Sequence, residues 1–327
     1  MPFHNKAVLN KLQIGLFALL FACANVSFAD SNIACPPVAE SPTPEMVQAA
    51  KRAARDHGFL WRISKDGRTS FLYGTIHMAK FAWVFPGPVV MQALRASDTV
   101  ALELDMLDED IQRRMVKGVA LLRHNPLPEA LEQRVRRQAE AVCVPYASLA
   151  RLTPEFQVDN LSLMVGAWEG LYVAYAIDSV LAGMAHNLKK TVVSLETPEM
   201  QLQLLHMKDD QETISFVQDS LAELESGREL AMLRRIAKVW ESADYAEMSH
   251  FDDWCECLNT PIERDLMKKL LDDRNPGLAD RIDAIHASGK QVFAAVGSLH
   301  LFGSNGLPEL LKKRGYRVER VDLKPLL

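Results

Sequence analysis

Along this chain, apolar runs of strand length are separated by long stretches in which apolar residues recur every three to four positions, a pattern that predicts an α/β domain. Two of the runs end alike. Phe71 to His77 closes on Gly74-Thr75-Ile76-His77, and Val292 to His300 closes on Gly297-Ser298-Leu299-His300. A glycine inside a strand lets another backbone or a ligand come close, and the exit edge of an open α/β sheet is where ligands bind. Two such strands placed side by side would bring His77 and His300 to one site. Two further runs, Thr99 to Glu103 and Thr191 to Glu196, both open on Thr-Val and end in Leu-Glu. Each half of the chain therefore contributes one His and one Glu, in opposite order. The expected architecture is a central mixed sheet made from two pseudo-symmetric lobes, not a solenoid, which needs at least three stacked repeats.

The same patterning places the remaining elements. Leu60 to Ser64 and Thr69 to His77 read as a hairpin around Lys65-Asp66-Gly67-Arg68, after a helix near Glu45 to Asp56. Ala79 to Pro88 is a loop directly behind the first His, placed to act as a lid or substrate wall. A helical insertion is expected over about 108–188, where Leu161 to Leu181 carries Met and aromatic residues at helical spacing, as a core stripe does. Thr197-Pro198-Glu199 is a helix start, with Thr as N-cap and Pro in the first helical position, and fixes Glu196 at a strand-to-helix junction. Helices follow over about Glu212 to Trp240 and Ile262 to Ser288, the second interrupted at Asn275-Pro276-Gly277. A helix from Pro308 to Arg314 and a last strand from Arg317 to Asp322 complete the chain.

The N-terminus sets the compartment. Lys6 and Lys11 precede the apolar run Ile14 to Ala22, and Ser27-Phe28-Ala29 offers small residues for cleavage, so residues 1–29 read as a signal peptide. The run is too short for a membrane span. An exported protein follows, secreted or, in a Gram-negative cell, periplasmic. The alternative is a lipoprotein, because Leu20-Phe21-Ala22-Cys23 loosely resembles a lipobox; only acylation of Cys23 would make a membrane a partner, and Phe21 fits that pattern poorly. Residues 30–44 are a Pro-rich linker, and 45–327 form the α/β domain. With 48% hydrophobic and 24% charged residues and a net charge of -5, the chain has globular composition and no basic stripe, so nucleic acid is not an expected partner. Cys35, Cys143, Cys255 and Cys257 allow up to two disulfides in an oxidising compartment. A bond between Cys255 and Cys257 is not expected, since one intervening residue makes a strained ring.

Imidazoles and carboxylates at one sheet edge point to metal chemistry. Neutral imidazoles suit Zn, Mn or Co, and catalytic sites use three protein ligands with a place left for water. His77 and His300 are expected ligands with Glu103 as the third, Glu196 is the general base or an alternative ligand, and Arg274 is an oxyanion or substrate-positioning group. Glu103 is preferred as ligand because it follows the first His strand after one short connection and is expected on the adjacent strand. Asp105, His124, His186, His206, His250 and His286 lack such context and read as surface or packing residues. No Gly-x-Ser-x-Gly, His-Glu-x-x-His or Gly-x-x-x-x-Gly-Lys-Ser/Thr motif is present.

Taken in order, four segments carry a resemblance. Tyr73-Gly74-Thr75-Ile76-His77, Leu102-Glu103-Leu104-Asp105, the Arg-Asn of Asp272-Asp273-Arg274-Asn275 and Val296-Gly297-Ser298-Leu299-His300-Leu301 resemble the TraB/GumN family, Tiki-like proteases included, over about Leu60 to Leu323. That family is similar at fold level to the erythromycin esterase and ChaN-like proteins. The resemblance implies a divalent-metal-dependent hydrolase, a peptidase with a peptide or protein substrate, in which both motif histidines are essential. Three alternatives remain beside it: a metal-free enzyme with His77 as general base, as in the similar esterases; a non-catalytic protein that binds or sequesters peptides; and a haem- or metal-binding lipoprotein.

Overall fold

Six strands form one mixed sheet in the computed structural model, which describes residues 34–323 apart from Glu256. The expected signal peptide and Cys23 lie outside the described residues. Helix α1 (Pro44–Arg52), capped by the Thr43 side chain, precedes the hairpin of β1 (Phe59–Lys65) and β2 (Arg68–Thr75). Asp66 and Gly67 at its tip have φ of 51° and 73°, the conformation that a two-residue turn between twisted strands needs and that Asp-Gly supplies. The chain then crosses through α2 (Pro88–Ala96) to β3 (Thr99–Leu102). A helical excursion follows: α3 (Glu109–Leu121), α4 (Glu129–Ala141), α5 (Tyr146–Leu149), α6 (Pro154–Val165) and α7 (Ile177–Asn187), ending at β4 (Thr191–Ser194). Between β4 and β5 (Val292–Gly297) come α8 (Pro198–Leu205), α9 (Asp210–Ser226), α10 (Arg228–Glu241), α11 (Tyr245–Ser249), α12 (Phe251–Trp254), α13 (Pro261–Met267) and α14 (Asn275–Ala287). Finally α15 (Leu307–Lys313) leads to β6 (Arg317–Val321).

The strand order is β4-β3-β5-β2-β1-β6. Pairs from β4 to β2 are parallel, whereas β1 is antiparallel to both of its neighbours. All of β3 and all but the last residue of β5 are buried, as parallel strands covered by helices on both faces must be. Because β5 lies between β2 and β3, Glu103 does not follow a strand next to that of His77, as the chain order suggested; its neighbour is the strand of His300. The α2 crossover skips one position in the sheet, and the slot is filled only when β5 arrives much later in the chain. The two halves thus interleave in a single α/β sheet. Their Thr-Val runs lie side by side in register, Thr99 opposite Thr191 and Val100 opposite Val192.

Packing follows the apolar pattern. Phe59, Leu60, Ile63, Leu72 and Phe293 are fully buried in one cluster around the sheet, each contributing roughly 1.5–3 kcal/mol of transfer free energy. A second cluster, around Val135, Leu161 and Val217, joins α4, α6 and α9. The helix expected from Glu212 to Trp240 is broken at Gly227, whose φ is 75°. The Leu161 to Leu181 stripe is likewise interrupted by two 3-10 turns flanking Gly170, and Trp168 in the first of them is exposed rather than core.

Two disulfides are present among the described residues. Cys35 is bonded to Cys143, tying the segment before α1 to the end of α4. Cys255 is bonded to Cys257, contrary to the expectation from spacing. The chain leaves α12 at Trp254, and the turn there brings the two Cα atoms to 5.0 Å, inside the usual disulfide range. No helix among the described residues is long and apolar enough to cross a membrane.

Candidate functional site

The two Gly-x-x-His segments leave the same sheet edge, since β2 and β5 are parallel neighbours with Thr75 opposite Gly297. They also interlock. A Cβ on Gly74 would lie 2.9 Å from Ser298 Oγ, and that hydroxyl donates to the Thr75 carbonyl at 2.8 Å. Glycine at 74 is therefore required by the approach of the second motif. On the neighbouring strands Glu103 and Glu196 reach the same edge, where the Glu196 backbone N–H donates to the Glu103 carbonyl at 2.9 Å.

Gly297 marks the point of convergence. A Cβ there would lie 3.3 Å from Glu103 Oε1, 3.6 Å from His300 Cδ2 and 3.8 Å from His77 Nε2, so the missing side chain leaves a space that three sequence-predicted residues face. Glu103 Oε1 accepts from the Gly297 N–H at 2.7 Å and stands 3.8 Å from His300 Nε2. His300, only 3% exposed, sits in a 3-10 turn, Ser298–Leu301. Its Nδ1–H donates to Asn275 Oδ1 at 2.6 Å, and the Asn275 amide is oriented in turn by donating to the Asn305 carbonyl at 2.9 Å. This assignment from the hydrogen-bond network leaves the Nε2 lone pair of a neutral His300 pointing at the Glu103 side. Burial keeps the imidazole neutral, lowering its pKa to about 4 against the pull of Glu103.

His77 differs from its motif partner. Its side chain is 61% exposed, and Nδ1 is 3.5 Å from Asp178 Oδ1. Burial of its surroundings lowers the pKa, but the Asp178 and Glu103 carboxylates outweigh that and raise it to about 9. Glu103 shows the opposite balance: burial raises its pKa, while His300, Arg274, His77 and the Gly297 N–H together hold it at about 2.

Arg274 clamps the two glutamates. Its Nε donates to Glu196 Oε1 at 2.8 Å, and Nη2 donates to Glu103 Oε2 at 2.5 Å and to Glu196 Oε2 at 2.6 Å. Nη1 donates to the Leu270 carbonyl at 3.0 Å. Of five guanidinium N–H groups, one on Nη1 is left uncommitted among the described residues. Burial opposes the charge of Arg274, yet the two carboxylates raise its pKa further above its ordinary value. The residue is not a solvated helix position: it caps α14 directly after a π-helical turn, Lys268–Asp272, an irregularity common at functional sites.

The match to known proteins follows the same span. The TraB/PrgY/gumN family profile covers residues 59–320, from the first residue of β1 into β6. The chain belongs to the TraB/PrgY/gumN family. Within the curated proteins it is similar to metalloprotease TIKI1 of Danio rerio, 24% identical over 315 residues that cover 80% of this chain and 63% of the relative. It is also similar to uncharacterized protein YbaP of Shigella flexneri and of Escherichia coli strain K12, each 25% identical over 265 residues, 80% of this chain and 96% of theirs. The chain thus spans less than two thirds of the length of TIKI1. No solved structure matches.

All five residues singled out in the sequence meet at this edge, and three others join them. Asn275, which follows Arg274, orients His300. Gln201 bridges the glutamates, its Nε2 donating to Glu196 Oε2 at 2.9 Å and to Glu103 Oε2 at 3.4 Å; its place in the helix that begins at Pro198 was the available signal. Asp178, on α7, carried none. A cavity of about 600 Å³ is bordered by His77, Glu103 and Arg274, and a second of about 760 Å³ by Glu196 and Arg274. Gln201 and Arg274 border both, whereas His300 borders neither. Among the described residues no group of three or more His, Cys, Asp or Glu is arranged closely enough to hold a metal as it stands.

Proposed function

We propose that this chain is an exported hydrolase of peptide bonds that depends on a divalent metal held by His77, His300 and Glu103. The observation that carries the reading is the convergence of those three groups on the side-chain-free face of Gly297, with the Nε2 lone pair of His300 freed by its bond to Asn275. The donor set fits such an ion: two imidazoles and a carboxylate make an N₂O triad that leaves a position for water. His77 is paired with Asp178 through Nδ1 and turns Nε2 to the Gly297 space. A bound ion would polarise the scissile carbonyl and bring its water toward neutral pKa. The chain supplies the rest. Glu196 takes the proton from the attacking water, the free Nη1–H of Arg274 faces the developing oxyanion, and Gln201 keeps the two carboxylates in place.

Relatives support the reading at a coarser level, since one of them is named a metalloprotease. Export is supported by the Cys35–Cys143 and Cys255–Cys257 bonds, which persist in oxidising compartments. A second reading rests on the His77–Asp178 pair: an imidazole oriented by a carboxylate is a general base that needs no metal. Metal content and peptide hydrolysis of the purified mature chain separate the two. Under the first reading His77→Ala and His300→Ala each lose bound metal and activity while keeping the fold; activity that survives metal removal and depends on His77 and Asp178 would establish the second.

A further inference from the structure

The cavity beside His77 and Glu103 has a wall whose composition the hydrolase reading does not use. Five helices turn acids into it: Asp159 from α6, Asp178 from α7, Asp219 and Glu223 from α9, Glu229 from α10 and Glu263 from α13. The only Lys or Arg among its described lining residues is Arg274, and that guanidinium is already bonded to Glu103 and Glu196. Asp159, Asp219 and Glu229 form no ion pair among the described residues, and the neighbours that act on them most strongly are other acids: Glu155 and Glu229 on Asp159, Glu263 on Asp219, Glu223 on Glu229. Asp178, on the His77 side of the wall, is paired with His77 Nδ1 at 3.5 Å. Between the acids the wall is apolar, with Leu163, Val173, Phe216, Met267 and Leu270.

Glu223 is paired with Arg228 and Asp178 with His77, which leaves Asp159, Asp219 and Glu229: apolar sides and these three carboxylates in one wall suit a group with an aliphatic stem and a cationic end. We propose that this cavity is the subsite for a lysine or arginine side chain of the peptide substrate, next to the bond presented at His77 and Glu103. The proposal rests on the hydrolase reading for the identity of the substrate, while the cavity's charge and shape are independent of turnover. Its volume, about 600 Å³, lies within the range of sites that enclose most of a small ligand.

Three fluorescent peptides that differ only by Lys, norleucine or Glu at one position test the proposal against the full mature chain. Anisotropy gives their dissociation constants, and mass spectrometry follows cleavage in parallel. The Lys peptide is expected to bind about tenfold tighter than the norleucine peptide, with the Glu peptide weakest. The Lys preference should shrink to roughly threefold or less in Asp159→Asn combined with Glu229→Gln, and with salt raised from about 50 to 500 mM. Asp219→Asn provides a second variant if the double one does not fold. Equal binding of the Lys and norleucine peptides, or a preference untouched by both sets of substitutions, overturns the subsite. Lys-selective binding without cleavage upholds it and removes the hydrolase reading; cleavage of all three peptides without selectivity does the reverse.

Discussion

At the residue scale, two histidines from the same short motif are held in different states. His300 is buried, with Nδ1–H fixed on Asn275 and its pKa lowered; His77 is exposed beside Asp178, whose carboxylate draws its pKa up. An orienting partner of this kind typically contributes 10–100-fold in metal affinity. Asn275→Ala should therefore weaken zinc binding by about that factor without unfolding the chain, as read by competition with a chromophoric chelator. Unchanged affinity would remove Asn275 from the site. The glutamates can be separated in the same assay. Under the proposed reading Glu103, held at a pKa of about 2 and facing Gly297, is the ligand of the pair, so Glu103→Gln should lose metal and turnover together. Glu196 has both oxygens on Arg274, and neither is among the three atoms nearest the open face of Gly297. Glu196→Gln should keep its metal and lose about a hundred- to ten-thousandfold in rate; loss of metal in that variant alone would exchange the two roles.

At the scale of elements, the site exists because four parallel strands end at one edge and because Gly297 lets their side chains meet. A Cβ at Gly297 would come within 3.3 Å of Glu103 Oε1, a contact that small shifts relieve, so Gly297→Ala should lose no more than about 1–3 kcal/mol of stability. The same methyl fills the space that Glu103, His300 and His77 face. Under the proposed reading metal content should fall far more than the denaturation midpoint, and a variant with its metal intact would place the ion elsewhere. This is also the scale at which the sequence speaks most clearly. The paired Gly-x-x-His and Thr-Val runs could be read because a strand's polarity pattern and its exit residue are local properties. The insertion of β5 between β2 and β3 could not, because strand neighbours are chosen by tertiary packing that leaves no local trace. Asp178 was invisible for the same reason: nothing near α7 in the chain says that it will face His77. The Cys255–Cys257 bond depended on how the chain turns out of α12, which spacing alone did not reveal.

At the scale of the whole molecule, a net charge of -5 conceals where the charges lie, and the helices gather an excess of acids around one cavity. Burial, then Glu155 and Glu229, raises the pKa of Asp159 to about 7; burial, then Glu223, raises that of Glu229 to about 7 as well. The sign of the effect on stability follows from proton counts. Between about pH 4 and 7 the folded chain holds protons on these carboxyls that the unfolded chain has released, so their contribution to stability falls as pH rises through that window and is level above it. Glu103 and His300, both shifted down, tilt the curve the other way at acid pH, but they cancel when a variant is compared with its parent. Asp159→Asn and Glu229→Gln should each melt higher than the parent at pH 8, with the difference closing toward pH 4.5, in thermal scans at constant salt. A cationic peptide seated in the cavity would relieve the same repulsion, so the Lys peptide should raise the parent's melting temperature more at pH 8 than at pH 4.5, and more than it raises that of either variant. Equal shifts at both pH values would mean that these carboxylates are solvated or otherwise paired, and that the acids of the wall do not act on what the cavity binds.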